Sequence, residues 1–209
     1  MFLIVGLGNP GDKFTNTRHN LGFEVIDALV RKLGERGRGK GESWETQQKF
    51  KAEISKINFT LNASPLTLIL AKPLTFMNLS GMAISSIAQY FKIKPEEIII
   101  IHDELDLPLG HIKIRVGGSD AGHHGIESII KSLGTEKFIR VRLGIGNWHA
   151  ISGEHKHSAF NAEKFVTEQF LANEKSKVRS MVKRAVKAVE SILNQGLEKA
   201  QSQYNDKGA

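Results

Sequence analysis

A chain of 209 residues can bury a sizeable core in one domain, and 40% apolar against 24% charged residues is ordinary globular composition. There is no cysteine, which excludes disulfides, thiolate nucleophiles and cysteine metal ligands and fits a reducing cytosol. The net charge of +7 points to an anionic partner, most simply nucleic acid, although many soluble proteins are this basic without one.

Residues 2–6 read as a strand that breaks at Gly6, without the basic flank of a signal peptide. A helix is expected over 20–34, where Leu21, Val25, Leu29 and Leu33 recur every four positions and Gly34 supplies a stop. Residues 35–48 are rich in Gly, Arg and Lys and read as a mobile loop. Phe50, Ala52, Ile54 and Ile57, then the apolar run 66–71, suggest two strands around a turn at 62–65. A helix follows over 80–91. The run 97–101 is short and rich in isoleucine, as in a strand buried on both faces. A weakly alternating strand over 111–116, a helix over 125–133 and a strand over 138–145 come next, then two helices near 161–171 and 174–195. No apolar run approaches the roughly 18 residues of a membrane span. Strands interleaved with helices predict an α/β fold, a single domain over 1–202 with a frayed tail at 203–209.

Four loops carry the chemistry. After the first strand, Gly6-Leu7-Gly8-Asn9-Pro10-Gly11 matches G-x-G-x-x-G, the dinucleotide-binding fingerprint. The match reads as a decoy. Residues 12–19 lack helical periodicity, Pro10 favours a turn, and no acidic residue ends a second strand about 20 residues on. The same loop does place Asn9, His19 and Asn20 at a strand's carboxyl end, where α/β proteins bind ligands. A histidine there suits general-base work.

His102-Asp103-Glu104-Leu105-Asp106 ends the isoleucine strand. An aspartate there can hold one imidazole nitrogen and raise the basicity of the other; a solvated acidic turn is the plainer reading. Residues 117–125, Gly-Gly-Ser-Asp-Ala-Gly-His-His-Gly, form a glycine-dense loop before a helix. It can present N–H groups to an anion, with Lys113 and Arg115 nearby on one strand face, or it is simply a flexible hairpin end. Asn78, just before the 80–91 helix, either caps it or offers an amide to a carbonyl. His149, His155 and His157 beside Glu154 could hold a metal, but a solvated loop is the better reading. There is no G-x-S-x-G and no H-E-x-x-H. A base, an orienting acid, amides and cations suit hydrolysis by an activated water on a substrate with an anionic handle.

These residues resemble the bacterial-type peptidyl-tRNA hydrolase family. The likeness rests on LIVGLGNPGDKFTNTRHN over 3–20, KPLTFMNLSG over 72–81, HDELDLPLG over 102–110 with GGSDAGHHG over 117–125, and FIRVRLGIG over 138–146, all in family order. It implies a single three-layer α/β/α domain with a twisted mixed sheet. It also implies metal- and cofactor-free hydrolysis of the ester between a peptide and tRNA. By position, His19 resembles the base and Asp103 its stabilising partner. Asn9 resembles the position that discriminates blocked from free aminoacyl-tRNA. Phe14, Phe76, Met77, Asn78, His123 and His124 fall at substrate-contacting positions, and Lys113, Arg115 and Arg142 at tRNA-binding ones. The expected state is a cytoplasmic monomer with no obligate protein partner and no membrane attachment. Phe14 replaces a common tyrosine, His124 replaces the asparagine of H-N-G, and the loops at 35–48 and 147–160 look long. An RNA-binding relative that has lost hydrolysis, and a dinucleotide-binding enzyme, are the alternatives.

Overall fold

The computed structural model describes residues 1–35, 43–61, 64–146 and 161–205. Its strands are β1 (Phe2–Gly6), β2 (Glu45–Gln47), β3 (Ala52–Leu61), β4 (Ser64–Pro73), β5 (Ile98–Pro108), β6 (Ile112–Val116) and β7 (Ile139–Gly146). Its helices are α1 (Leu21–Glu35), α2 (Ser80–Phe91), α3 (His124–Leu133), α4 (Ala162–Val166), α5 (Lys175–Gln195) and α6 (Leu197–Tyr204). The strands form one mixed sheet in the order β2-β3-β4-β1-β5-β7-β6. β1 runs parallel to β4 and β5, and β5 to β7. The β2–β3, β3–β4 and β6–β7 pairs are antiparallel.

Side chains alternate across a strand, so the isoleucine run of β5 feeds both faces. Ile99 and Ile101, with Ile4 of β1, pack against α1 and α5 on one side. Ile98 and Ile100, with Leu3 and Val5, pack under α2 and α3 on the other. Continuous hydrophobicity there marks a strand covered twice, and the result is the expected three-layer arrangement.

Close backbone approach sets where the first loop lies. A Cβ at Gly22 would collide with the Ile101 carbonyl oxygen and the Leu7 backbone, so only glycine lets α1 begin directly over β1 and β5. The residues just before it, Arg18–Asn20, form a 3-10 turn that reaches β5 at Asp103.

Several expectations change. Within 35–48, Glu35 belongs to α1 and residues 45–47 pair with β3 as the sheet's edge strand, while 36–42 lie outside the described residues. β5 runs to Pro108, well past residue 101, because its carboxyl half keeps pairing with β7. The helix expected over 161–171 is only the short α4. Past it the chain turns extended, and Gln169 bridges Thr17. A third C-terminal helix, α6, carries the chain through Tyr204 where fraying was expected. Asn205 beyond it accepts from Ile114 N–H at 2.6 Å and donates to the Ile114 carbonyl at 3.1 Å, which ties the end to β6. The helix stop read at Gly34 is not one, since Gly34 is buried inside α1. His149, Glu154, His155 and His157 lie outside the described residues.

Candidate active site

The G-x-G-x-x-G stretch opens no helix. After β1 the chain makes two 3-10 turns, Asp12–Phe14 and Arg18–Asn20, and α1 begins only at Leu21. The intervening loop is pinned by an amide pair. Asn9 N–H donates to Asn20 Oδ1 at 2.8 Å, and Asn20 Nδ2 donates to the Asn9 carbonyl at 2.9 Å. Asn9 Oδ1 accepts from Met77 N–H at 2.8 Å, which joins the loop after β1 to the loop after β4. The Asn9 amide oxygen is therefore occupied, and its NH2 is the group left for a ligand.

His19 and Asp103 meet. His19 Nδ1 lies 2.9 Å and 3.0 Å from the two carboxylate oxygens, and both residues are buried. β1 ends beside Ile101, so Asp103 stands two residues past its neighbour's end, under the turn that carries His19. With Nδ1 donating to the carboxylate, a neutral ring has its lone pair on Nε2. His123 reaches the same carboxylate through Nε2, at 3.1 Å from Oδ1. Its other nitrogen, Nδ1, accepts from the N–H groups of Gly125 and Ile126 at 3.1 Å and 3.3 Å and so caps α3. Accepting at Nδ1 requires the neutral ring to carry its proton on Nε2, which donates to Asp103.

Electrostatics follow from this crowding. Burial is the largest influence on His19 and disfavours its charged form, but the charge and hydrogen bond of Asp103 outweigh it and hold the pKa above the ordinary imidazole value. Burial by itself would raise the Asp103 carboxyl. The imidazoles of His19 and His123 instead hold it well below the usual carboxylate range. His102 is the reverse case: burial, then the neighbouring His123, push its pKa far down, so its ring is neutral. Its Nδ1 donates to the Asp103 carbonyl at 2.7 Å, so it supports the backbone rather than the reaction.

His19, Asp103 and His123 bring three ligand-type atoms within 4.8 Å of one another. The chemistry of these donors does not fit a metal ion. The carboxylate is taken by two imidazole N–H groups, and His123 cannot offer a lone pair at Nε2 while Nδ1 accepts from α3.

Two cavities flank the pair and share His19, His124, Glu163 and Val166 in their walls. The inner one, about 90 Å³, is completed by Asp103, His123 and Ala162. The outer one, about 380 Å³, adds Asn9, Phe76, Met77 and Asn78. Asn78 is exposed and does not cap α2; the Gly81 N–H at that N-terminus donates instead to Ser128 Oγ of α3 at 3.0 Å. Phe76 is 55% exposed and meets Phe14 edge-on, with ring centroids 6.4 Å apart. His124 stands at the mouth, its Nδ1 3.6 Å from Glu127 and its Nε2 3.9 Å from Glu163.

The glycine loop is not the open anion cradle its composition suggests. The N–H of Gly122 goes to Asp120 Oδ1, and those of Gly125 and Ile126 go to His123. Its carbonyls at Gly118 and Ser119 wrap the buried Arg140 guanidinium. Lys113 and Arg115 are exposed on one face of β6, and Lys113 stands opposite Arg142 of β7. Arg142 is partly committed, because its Nε donates to the buried Glu104 carboxylate at 2.8 Å.

Asn20, His102, Glu104, Arg140 and Glu163 are supporting residues that sequence reading left without a role. Asn20 had a signal, since it adjoins His19 in a polar loop. Glu163 had none, because only tertiary folding brings α4 to the cleft.

A mixed sheet covered by helices on both faces, with a buried imidazole–carboxylate pair just past the end of β1 and beside a cleft, defines an α/β protein with a candidate acid–base site. The peptidyl-tRNA hydrolase family profile matches residues 3–209. A peptidyl-tRNA hydrolase of Bifidobacterium adolescentis is 41% identical over 207 residues, covering 98% of this chain and 96% of that protein. One of Thermodesulfovibrio yellowstonii is 39% identical, covering 98% and 99%. The crystal structure of peptidyl-tRNA hydrolase from Acinetobacter baumannii superposes with a TM-score of 0.79 at 30% identity, covering 99% of this chain and 95% of that one. A peptidyl-tRNA hydrolase in complex with N-propanol gives 0.81 at 31% identity, with the same coverage. The chain belongs to the peptidyl-tRNA hydrolase family, a family of hydrolases.

Proposed function

We propose that this chain hydrolyses the ester between tRNA and a peptide or other N-blocked aminoacyl group, recycling tRNA from peptidyl-tRNA released by ribosomes. The observation that carries the mechanism is His19 Nδ1 bonded to Asp103 in a side chain that lines both cavities. Nε2 takes a proton from water as the water oxygen attacks the ester carbonyl carbon. The tetrahedral intermediate collapses by breaking the bond to the ribose oxygen, and the imidazolium returns the proton to that leaving oxygen. The products are a free carboxylic acid and tRNA. Asp103 keeps the ring in one tautomer and stabilises the imidazolium while it exists.

The Asn9 NH2 and the exposed Asn78 amide suit hydrogen bonds to substrate carbonyls in the outer cavity, beside Phe76 and Met77. Phe14, with no hydroxyl, is not part of that lining and meets it only through its edge-on contact with Phe76. Lys113 and Arg115, with the Arg142 nitrogens that find no partner among the described residues, suit phosphates of the tRNA backbone. The test is tRNA release from N-acetylaminoacyl-tRNA with free aminoacyl-tRNA as control. Release from the blocked substrate, with the free one spared, is expected. Binding without release would make the chain an RNA-binding relative instead.

A further inference from the structure

Arg18, next to His19, is an unexpected buried cation. Its side chain is 4% exposed, and its guanidinium carbon lies 4.4 Å from the centroid of Phe165 and 4.7 Å from that of Phe170. Its Nη2 donates to Glu174 Oε2 at 2.8 Å, and the same oxygen accepts from Leu171 N–H. Nε and Nη1 are buried and find no partner among the described residues. An apolar side chain would fill this slot without leaving two donors unpaired. All three partners of the guanidinium lie between residues 165 and 174, which arrive from the far end of the chain.

That segment also builds the cleft. α4 presents Glu163 and Val166 to the cavities, while Phe165 of the same helix packs on Arg18. The backbone follows the same path: Arg18 N–H donates to the Glu168 carbonyl at 3.0 Å, and Thr17 bridges Gln169. The turn that holds His19 is three residues long and has no side-chain cap of its own.

We infer that Arg18 is a positioning residue that fixes two things at once: the angle of His19 on Asp103, and the place of the α4 wall across the cleft. A planar guanidinium does this where an ammonium cannot, because it stacks on two rings and still donates in its own plane to Glu174. The inference rests on His19 acting as the base.

The test compares Arg18→Met, Arg18→Lys and Glu174→Gln with wild type, using N-acetylaminoacyl-tRNA hydrolysis across pH. The downfield Nδ1–H proton resonance of His19 reports its bond to Asp103. Misplacing the base by about an ångström should lower kcat by ~10- to ~100-fold in Arg18→Met, with a smaller fall in the other two and KM less affected than kcat. The acid limb should move to lower pH, and the His19 resonance should weaken, as the imidazole loses its carboxylate. A lowered Tm with wild-type kcat, acid limb and resonance in the folded protein would reduce Arg18 to core packing and overturn the inference. If Arg18→Met does not fold, Arg18→Lys and Glu174→Gln decide in the same terms. His19→Ala separates the two readings: if it hydrolyses normally, the mechanism fails, whereas an inactive His19→Ala beside unaltered Arg18 variants removes only the role of Arg18.

Discussion

At the scale of single residues, the site is a set of committed and uncommitted atoms. Asp103 accepts from two imidazoles and Asn9 Oδ1 from Met77, so Asn9 Nδ2 and His19 Nε2 are atoms of this network without a partner among the described residues. Asp103→Asn tests the first half of this. The carboxylate alone lifts the His19 pKa above its ordinary value against the pull of burial. Without its charge, burial governs and the pKa falls. Because the base must be neutral, the acid limb of kcat/KM should shift to lower pH, with a smaller loss of rate than His19→Ala gives. A limb that stays put, or moves to higher pH, would show that Asp103 does not govern the base. Asn9→Asp tests the second half. The variant keeps an acceptor for Met77 N–H but turns the free donor into a carboxylate, which attracts an α-ammonium. Preference should shift towards free aminoacyl-tRNA, measured as the ratio of kcat/KM for free and blocked substrates. An unchanged ratio would take discrimination away from Asn9.

At the scale of elements, function depends on how closely helices approach the sheet. Gly22 lets α1 start against the backbone of β1 and β5, and the His19 turn precedes it directly. Gly22→Ala should destabilise the fold by ~1–3 kcal/mol through overpacking, and lower kcat in the folded fraction because the turn is lifted from Asp103. Denaturant unfolding and turnover read the two effects separately, and an unaltered kcat would detach the helix start from the placement of His19. Much of this was legible in the sequence. The spacing of Leu21, Val25, Leu29 and Leu33, the run 98–101 and the helix 80–91 are local periodicities, and local periodicity survives without tertiary knowledge. The short α4 was not legible, because an extended bridge to Thr17 ends it, and a contact across some 150 residues leaves no periodic trace. His123 shows the same limit. Its place in the glycine loop was visible, but its double duty as helix cap and Asp103 donor depends on both ring nitrogens. Nothing in the sequence marks Arg18 as buried, since Phe165, Phe170 and Glu174 lie far along the chain.

At the scale of the whole molecule, charge and architecture divide the work. Central strand β5 carries Asp103 under the turn that holds His19, while Lys113 and Arg115 stand exposed on edge strand β6. Each phosphate contact releases counterions, so Lys113→Ala or Arg115→Ala should raise KM and flatten its log–log salt dependence by about one unit, with kcat little changed. A salt slope equal to wild type would remove that residue from the RNA surface. Arg142→Ala is a less clean probe, because it strands the buried Glu104 carboxylate as well as removing a cation. The central claim, that this fold activates water at His19 to cleave peptidyl-tRNA, is tested most directly by single-turnover hydrolysis of N-acetylaminoacyl-tRNA by wild type and His19→Ala at saturating enzyme, with tRNA affinity measured alongside. A fall in the cleavage rate of ~10²–10⁴-fold with affinity largely retained is expected; cleavage by His19→Ala at a rate near wild type would contradict water activation at His19.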